Sequence, residues 1–275
     1  MNANANTETV MTAPELCLSL WSLRDHVASK PIETIELIKQ WGISKVEVTG
    51  FCDLKPSELK GYLQDSKLAV CGLGAPPLKA GHEPSFYSNW ANTYLPFFET
   101  DLLILQSSRE GFSWKTRLDL IAKVAQEMAD PTIRVCYHCY PYDFELFQGR
   151  SLISTLFSLN AVPGNFGLEL DTFWLNFAGV GPDAYEGLPI HSVHLNERDA
   201  EGRCCLLGMD EAKCLKYIRP LATREPRINW ILENNPDEKY AFEEITGMIQ
   251  LMGECIEAWP KLWRRITGSV NTAEA

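Results

Sequence analysis

Residues 165–175 read NFGLELDTFWL, a short apolar run that is broken by acidic residues and followed by aromatic ones. A run of this length predicts a buried strand, as in a parallel sheet that is covered by helices. Asp171 stands at the end of the apolar segment, where a charge without a partner is costly to bury. The stretch therefore predicts both a covered sheet and a polar site at one end of its strands.

The same order of strand and then helix repeats along the chain. The predicted strands cover 15–23, 45–51, 68–76, 101–108, 132–140, 165–175, 189–197 and 227–235. The predicted helices cover 32–42, 56–66, 86–98, 114–130, 151–159, 182–188, 209–223 and 241–259. Alternating units of this kind favour an α/β fold with a parallel sheet, and eight of them in about 250 residues match a (β/α)8 TIM barrel.

We predict one barrel domain over residues 14–267, between a disordered N-terminal tail (1–13) and a C-terminal tail (268–275). A doubly wound open sheet is the alternative. That fold usually has a glycine-rich phosphate turn after its first strand. The turn here reads SLRDHVASKP, with neither a GxGxxG nor a Walker A sequence.

Composition narrows the class of partner. The formal net charge is -11, with 36 acidic and 25 basic residues and no basic block, so nucleic acid is a poor candidate. No apolar run approaches the roughly 18 residues that cross a membrane, and the first residues do not resemble a targeting segment. Nine cysteines without a regular spacing predict reduced thiols and a cytoplasmic location.

In a barrel the chemistry belongs at the C-terminal ends of the strands. In this chain those ends carry Arg24, Asp25, Glu47, His138, Asp143, Glu145, Asp171, His194 and Glu233. Carboxylates with one or two imidazoles suit a divalent ion such as Mn²⁺, Co²⁺, Mg²⁺ or Zn²⁺. Each residue also has a simpler explanation, since an acid at a strand end can cap the next helix or pair with an arginine, and a histidine can belong to the core.

Several segments together resemble a known superfamily. They are LSLWSLRD (18–25), ISKVEVTGF (43–51), LELDTFWLNFAGVGPDAY (168–185), SVHLNERD (192–199) and WILENN (230–235). Over nearly the whole chain they are similar to the sugar phosphate isomerase/epimerase superfamily. These xylose isomerase-like barrels also include the family-two apurinic (AP) endonucleases, inosose dehydratases and ketohexose 3-epimerases. The resemblance implies metal ligands at Asp171, His194 and Glu233.

The chain departs from the family pattern after the fifth strand. Many members have His-Asn-His-x-x-Glu there, and this chain has His138-Cys139-Tyr140-Pro141-Tyr142-Asp143. The fourth metal ligand is then Asp143, or Glu145 if the loop shifts by two residues. Asn196 stands where members have a lysine, so the seventh-strand site also differs. This chain is thus expected to be a divergent member.

The resemblance implies a divalent-metal-dependent isomerase or epimerase that acts on a ketose, a sugar phosphate or an inosose-like polyol ketone through an enediolate. Glu233 and either Asp143 or Glu145 would exchange the proton. The expected substrate-binding residues are Arg24, Glu47, His138, Trp174 and Glu197, with Trp21 and Phe51 as further aromatic walls.

The alternative is a catalytically degenerate barrel that serves as a small-molecule binding or interaction protein. The endonuclease branch fits less well, because it uses a histidine-rich site and this chain has five histidines and an acidic balance. The apolar last helix is compatible with a homodimer or with packing under the barrel.

Overall fold

A computed structural model describes residues 12–108, 111, 113–159, 161–199, 204–209, 211–222, 228–234 and 245–267. Eight parallel strands form a closed barrel in the order β1 to β8. The prediction of a (β/α)8 barrel is therefore confirmed. The two predicted tails lie outside the described residues, except for positions 12 and 13.

The elements follow the predicted order. The strands are β1 Leu16–Ser19, β2 Lys45–Thr49, β3 Ala69–Gly74, β4 Leu102–Leu105, β5 Arg134–His138, β6 Phe166–Asp171, β7 Ile190–Leu195 and β8 Asn229–Leu232. The α-helices of the described residues are α1 Arg24–Ser29, α2 Pro31–Gln40, α3 Pro56–Asp65, α4 Pro84–Phe98, α5 Trp114–Glu127, α6 Leu152–Ser158, α7 Thr172–Phe177, α8 Glu211–Ala222 and α9 Ile245–Thr267. Short 3-10 helices lie at Leu20–Leu23, Pro141–Asp143 and Pro182–Tyr185.

The strands alternate between two environments, as the period of two in a β-strand requires. On β6, Leu168 and Leu170 belong to the large apolar layer between barrel and helices, while Glu169 and Asp171 lie on the other side of the strand, in the barrel interior. Two small apolar clusters also lie inside the barrel, formed by Cys17, Cys71 and Ile231 and by Leu102, Ile104 and Cys136. Several of these apolar residues lie two positions before a polar residue that also points into the barrel, such as Cys17 before Ser19 and Cys136 before His138. The polar layer therefore occupies the end of the barrel at which the strands finish.

Two of the predicted strands include residues that are helical in the structure. β1 stops at Ser19 and continues as the 3-10 helix Leu20–Leu23. β6 stops at Asp171, because the side chain of Asp171 accepts hydrogen bonds from the backbone N–H groups of Phe173 and Trp174 and so starts α7. The aromatic residues after Asp171 are therefore helical.

The last helix extends past its predicted end, through Pro260 to Thr267. Its apolar residues are buried within the chain, among them Trp259 and Trp263, which pack against Trp230 of β8. This burial favours the longer helix, since tertiary packing supplies most helix stability. None of the described helices has the length and apolar character needed to cross a membrane.

Candidate active site

Six buried titratable side chains meet inside the C-terminal half of the barrel. They are Glu47, His138, Glu169, Asp171, His194 and Glu233, and each has at most 7% of its surface exposed. They come from β2, β5, β6 and β7 and from the position after β8. The closed sheet thus brings together residues that are up to 186 positions apart in the sequence.

His194 lies at the centre of this group. Its Nε2 is 3.0 Å from Glu47 Oε2 and 3.6 Å from Glu169 Oε1, and its Nδ1 contacts Glu233 Oε2. Burial alone lowers the pKa of His194, but the charges of Glu233, Glu47 and Glu169 outweigh it and raise the pKa well above its ordinary value. His194 therefore bridges three carboxylates.

Glu47 is held in place on both sides. Ser19 Oγ and Thr49 Oγ1 both donate to its Oε1, at 3.3 and 3.1 Å, and its Oε2 pairs with His194. Burial and then the charge of Glu169 raise the pKa of Glu47 to about 7. Glu47, expected to bind substrate, is thus placed where it orients His194.

Glu169 is a functional candidate that the sequence analysis missed. His138 Nδ1 is 3.0 Å from its Oε2, and Ser192 Oγ donates to its Oε1 at 2.6 Å. Burial raises the pKa of Glu169, but the charges and hydrogen bonds of His194 and His138 outweigh that effect and lower it to about 2. The sequence did indicate this position, because Glu169 precedes Asp171 by two residues and therefore lies on the same side of the strand.

Asp171 combines a structural contact with its place in the cluster. Its Oδ1 accepts from the N–H groups of Phe173 and Trp174 at 2.8 and 3.0 Å, and Asn196 Nδ2 donates to its Oδ2 at 3.3 Å. Burial and the charge of Glu233 raise its pKa. Asp171 therefore caps helix α7, as the simpler explanation predicted, and it also belongs to the buried polar cluster.

The donor set fits a divalent cation. One atom each from His138, Asp171 and His194 lie within 4.8 Å of one another, and so do atoms of Glu47, His194 and Glu233. With all four carboxylates ionised, the cluster has an excess of negative charge even if both imidazoles are protonated, and the raised pKa values of Glu47 and Asp171 reflect the cost of burying that charge. A divalent ion held by oxygen and nitrogen ligands would compensate this charge.

A cavity of about 310 Å³ opens directly above these groups. His138, Glu169, His194 and Glu233 form its polar side. Its other walls are Trp21, Thr49, Pro77, Ile104, Gln106, Tyr140 and Trp174. An apolar cavity with a few convergent polar groups is the usual form of a small-molecule site.

Comparison with solved structures identifies the architecture, although no known protein family pattern and no curated protein sequence matches the chain. A sugar phosphate isomerase/epimerase from Parabacteroides distasonis ATCC 8503 is similar with a TM-score of 0.69 and 14% identity, over 94% of this chain and 97% of the other. A xylose isomerase domain containing protein from Salmonella typhimurium LT2 is similar with a TM-score of 0.67 and 13% identity, over 90% and 99%.

A D-allulose 3-epimerase from Methylomonas sp. is similar with a TM-score of 0.64 and 16% identity, over 92% of this chain and 99% of the other. An AP endonuclease of family 2 from Brucella melitensis is similar with a TM-score of 0.55 and 16% identity, over 82% and 94%. This chain has the fold of the xylose isomerase-like barrels. At these identities the likeness establishes the fold alone.

In this barrel, Asp143 does not join the central cluster. It is fully buried beside Arg117 of α5, whose Nη2 is 3.1 Å from Asp143 Oδ1. Its carboxylate also accepts from Tyr137 Oη at 3.3 Å and from Tyr140 N at 2.9 Å. Burial outweighs these contacts and raises the pKa of Asp143 to about 6. The oxygens of Asp143 are therefore engaged away from the other ligand candidates.

The remaining predicted site residues are dispersed around the barrel. Glu145 is exposed and lines an outer cavity. Arg24 lies over the ring of Trp21, 4.4 Å from its centroid, and donates to Trp21 O. Glu197 accepts from Gly208 N in a separate cavity of about 70 Å³ beside α7. None of these three residues lines the central cavity.

Two of the three predicted aromatic walls line the central cavity. Trp21 and Trp174 both face it. Phe51 instead packs against Trp90, Tyr94 and Phe98 of α4, with ring centroids 5.3 to 6.3 Å apart. Tyr140, which the sequence analysis noted as a departure from the family pattern, provides a further aromatic wall of the cavity.

Proposed function

We propose that this barrel is a divalent-metal-dependent isomerase or epimerase that moves a proton next to the carbonyl group of a ketose or a related polyol ketone. The observation that carries the proposal is the convergence of His138, His194 and Glu233 on one cavity, with Asp171 within 4.8 Å of the two histidines. The aromatic walls add support, because sugar rings pack against aromatic faces. The sugar isomerase and epimerase among the structural neighbours agree with this class of reaction.

We assign the metal ligands to His138, Asp171, His194 and Glu233. Glu47 and Glu169 then orient the two imidazoles, as carboxylates commonly do for metal-bound histidines. When bound, the ion would supply positive charge that stabilises the negative charge developing on a substrate oxygen. The two orienting carboxylates are already within 3.0 Å of the ring nitrogens.

Glu233 is the proposed base. Its carboxylate takes a proton from the carbon beside the carbonyl group, the C–H electron pair becomes part of a C=C bond, and the carbonyl oxygen gains the charge. The hydroxyl group on that carbon passes its proton to the former carbonyl oxygen, and return of the abstracted proton to the former carbonyl carbon then gives an aldose, with no net loss of atoms. One base on one face is sufficient for this 1,2-isomerisation.

An epimerisation needs a second acid on the opposite face of the substrate. Of the two carboxylates proposed after β5, Asp143 is committed to Arg117, and Glu145 lines the adjoining outer cavity. Glu145 is therefore the remaining candidate for this role. The product formed from a ketose, an aldose or an epimeric ketose, separates the two reactions.

The proposal is tested by metal binding. Mn²⁺, Co²⁺ and Zn²⁺ are titrated into the wild type and into Asp171→Asn, Glu233→Gln and Asp143→Asn. We expect one equivalent to bind the wild type and Asp143→Asn, and binding to be lost in the other two variants. Wild-type protein that binds no divalent ion, or Asp143→Asn that loses it as well, would overturn the assignment.

Exchange of substrate protons with solvent tests the reaction itself. Ketoses are incubated in ²H₂O with metal-loaded protein, and deuterium next to the carbonyl is measured by NMR. We expect incorporation with the wild type and none with Glu233→Gln. Metal binding without exchange in any ketose or inosose would count against the isomerase.

A degenerate binding barrel remains the second candidate. The observation that favours it is the engagement of Asp143 by Arg117, which leaves the proposed centre without a ligand from the loop after β5. This candidate predicts that sugars bind in the cavity while no deuterium is incorporated. The same exchange experiment therefore decides between the two.

A further inference from the structure

Two adjoining cavities lie at the C-terminal end of the barrel. The inner one, of about 310 Å³, contains the metal-ligand candidates, and the outer one has about 600 Å³. Both cavities are lined by the side chains of Pro77, Gln106, Tyr140 and Trp174, so they adjoin one another. A ligand seated on the polar cluster can therefore extend into the outer cavity.

The inner cavity has room for one monosaccharide. At roughly 30 Å³ for each water molecule, it has room for about ten of them, which a single sugar ring would replace. The outer cavity has about twice that volume. A free ketose would fill the inner space and leave the outer cavity to solvent.

The outer cavity has flat aromatic surfaces. Tyr140 and Tyr142 are stacked, with centroids 5.3 Å apart and planes 15° apart, and Phe177 meets Trp174 edge to face at 6.1 Å. Phe177 is 70% exposed although its ring is apolar. An exposed aromatic residue on the wall of a cavity suits a ligand that covers it.

Polar groups accompany the aromatic rings. Gln106, Ser107, Ser108 and Glu145 line the same outer cavity. Aromatic faces with amide, hydroxyl and carboxylate groups at their edges match a sugar ring, which has apolar C–H faces and hydroxyl groups around its rim. The hydroxyl groups of a sugar can form further hydrogen bonds with these polar groups, which a purely apolar ligand cannot do.

The charge of the walls disfavours a phosphate. Among the described residues that line the two cavities there is no lysine or arginine. Arg117, which lies over the ring of Tyr142, is paired with Asp143. Phosphate groups are usually bound by arginine, lysine or helix N-termini, and here the walls carry carboxylates instead.

We infer that the substrate is an uncharged keto-sugar joined to a second sugar ring, with the ketone in the inner cavity and the second ring on Tyr142 and Phe177 in the outer cavity. This inference rests on the proposed function and narrows its substrate class. Free ketoses and sugar phosphates are then the poorer ligands. Phe177 acts as a specificity residue without touching the reacting carbon.

The experiment compares four probes by quenching of tryptophan fluorescence in the full chain, both metal-free and with Mn²⁺. They are D-fructose, D-fructose 6-phosphate and two disaccharides with a reducing-end fructose, lactulose and isomaltulose. We expect at least one disaccharide to bind with a Kd about tenfold below that of fructose. Phe177→Ala should abolish that difference and leave the Kd of fructose unchanged.

Two further variants sharpen the test. Ser108→Trp would fill the exposed edge of the outer cavity and should weaken disaccharide binding without affecting fructose. Phe86→Ala is the matched control, because Phe86 is 44% exposed and lines neither cavity. It should bind all four probes as the wild type does.

Equal Kd values for fructose and both disaccharides, tightest binding of the phosphate, or no binding of any disaccharide would overturn the inference. So would an equal effect of Phe177→Ala on every ligand. The ratio of the Kd values for disaccharide and fructose does not depend on a bound metal ion, so it is also measured in metal-free protein. A failure of the proposed metal chemistry therefore appears in the Mn²⁺ titration and leaves this ratio unchanged.

Discussion

Arg117 Nη2 of α5 lies 3.1 Å from Asp143 Oδ1 in the turn after β5, and both side chains are almost completely buried. The guanidinium also covers the ring of Tyr142, 4.6 Å from its centroid. This pair anchors the turn that carries Tyr140 and Tyr142 to the neighbouring helix. A residue expected to be a ligand is thereby used to shape the wall of the cavity.

The stability of the protein should depend on pH through Asp143. Its pKa is about 6 in the folded protein and has an ordinary value of 3.8. The folded state therefore holds an extra proton between about pH 4 and 6, and ionisation of this carboxyl group weakens the fold as the pH rises through that window.

Asp143→Asn removes this pH dependence. Its free energy of unfolding, relative to that of the wild type, should rise between pH 4 and 7 by up to about 3 kcal/mol. Urea denaturation at several pH values measures it. Parallel pH profiles of the two proteins would contradict the assignment.

Arg117→Met should be strongly destabilising at pH 7. It leaves Asp143 buried without its charged partner, and breaking a buried ion pair costs about 3–5 kcal/mol. The double variant Arg117→Met/Asp143→Asn should recover part of this loss, because no buried charge remains. Denaturation midpoints of the three variants measure the coupling, and equal losses in the single and double variants would count against it.

Glu169→Gln should weaken metal binding although Glu169 is not one of the assigned ligands. The change removes the charge that fixes His138 at 3.0 Å, and loss of such a partner lowers metal affinity by about 10- to 100-fold. Mn²⁺ titration by calorimetry measures the change. Glu33→Gln, an exposed position paired only with Lys30 at 3.7 Å among the described ion pairs, is the control and should bind like the wild type. An unchanged affinity in Glu169→Gln would contradict the orienting role.

Gly167→Ala should destabilise the barrel by about 1–3 kcal/mol. An added Cβ would lie 2.7 Å from the ring of His191 and 3.0 Å from Pro189 O, so β6 or its neighbour must shift. In Gly61→Ala, by contrast, the new Cβ meets nothing within 4 Å, and the change inside α3 should stabilise by about 0.5–1 kcal/mol. Thermal unfolding distinguishes the two, and a stabilised Gly167→Ala would show that the strand is not closely packed there.

Local sequence patterns determined the architecture of this protein. The alternation of short apolar runs with amphipathic segments predicts strands and helices independently of distant residues, and eight repeats lead to the closed barrel. The same logic anticipated that Asp171, His194 and Glu233 would meet, because the carboxyl ends of parallel strands lie at one end of the barrel.

Tertiary structure alone decided how the individual carboxylates are used. Asp143 is separated from the cluster by its pairing with Arg117, which lies 26 positions earlier on another helix, and no local pattern shows that contact. The carboxylate of Glu197 accepts a hydrogen bond from the backbone N–H of Gly208, and the carboxylate of Glu169 contacts the imidazoles of His138 and His194 from two other strands. Strand order follows from short-range periodicity, whereas the partner of a buried charge depends on which side chains the packed fold brings within a few ångströms.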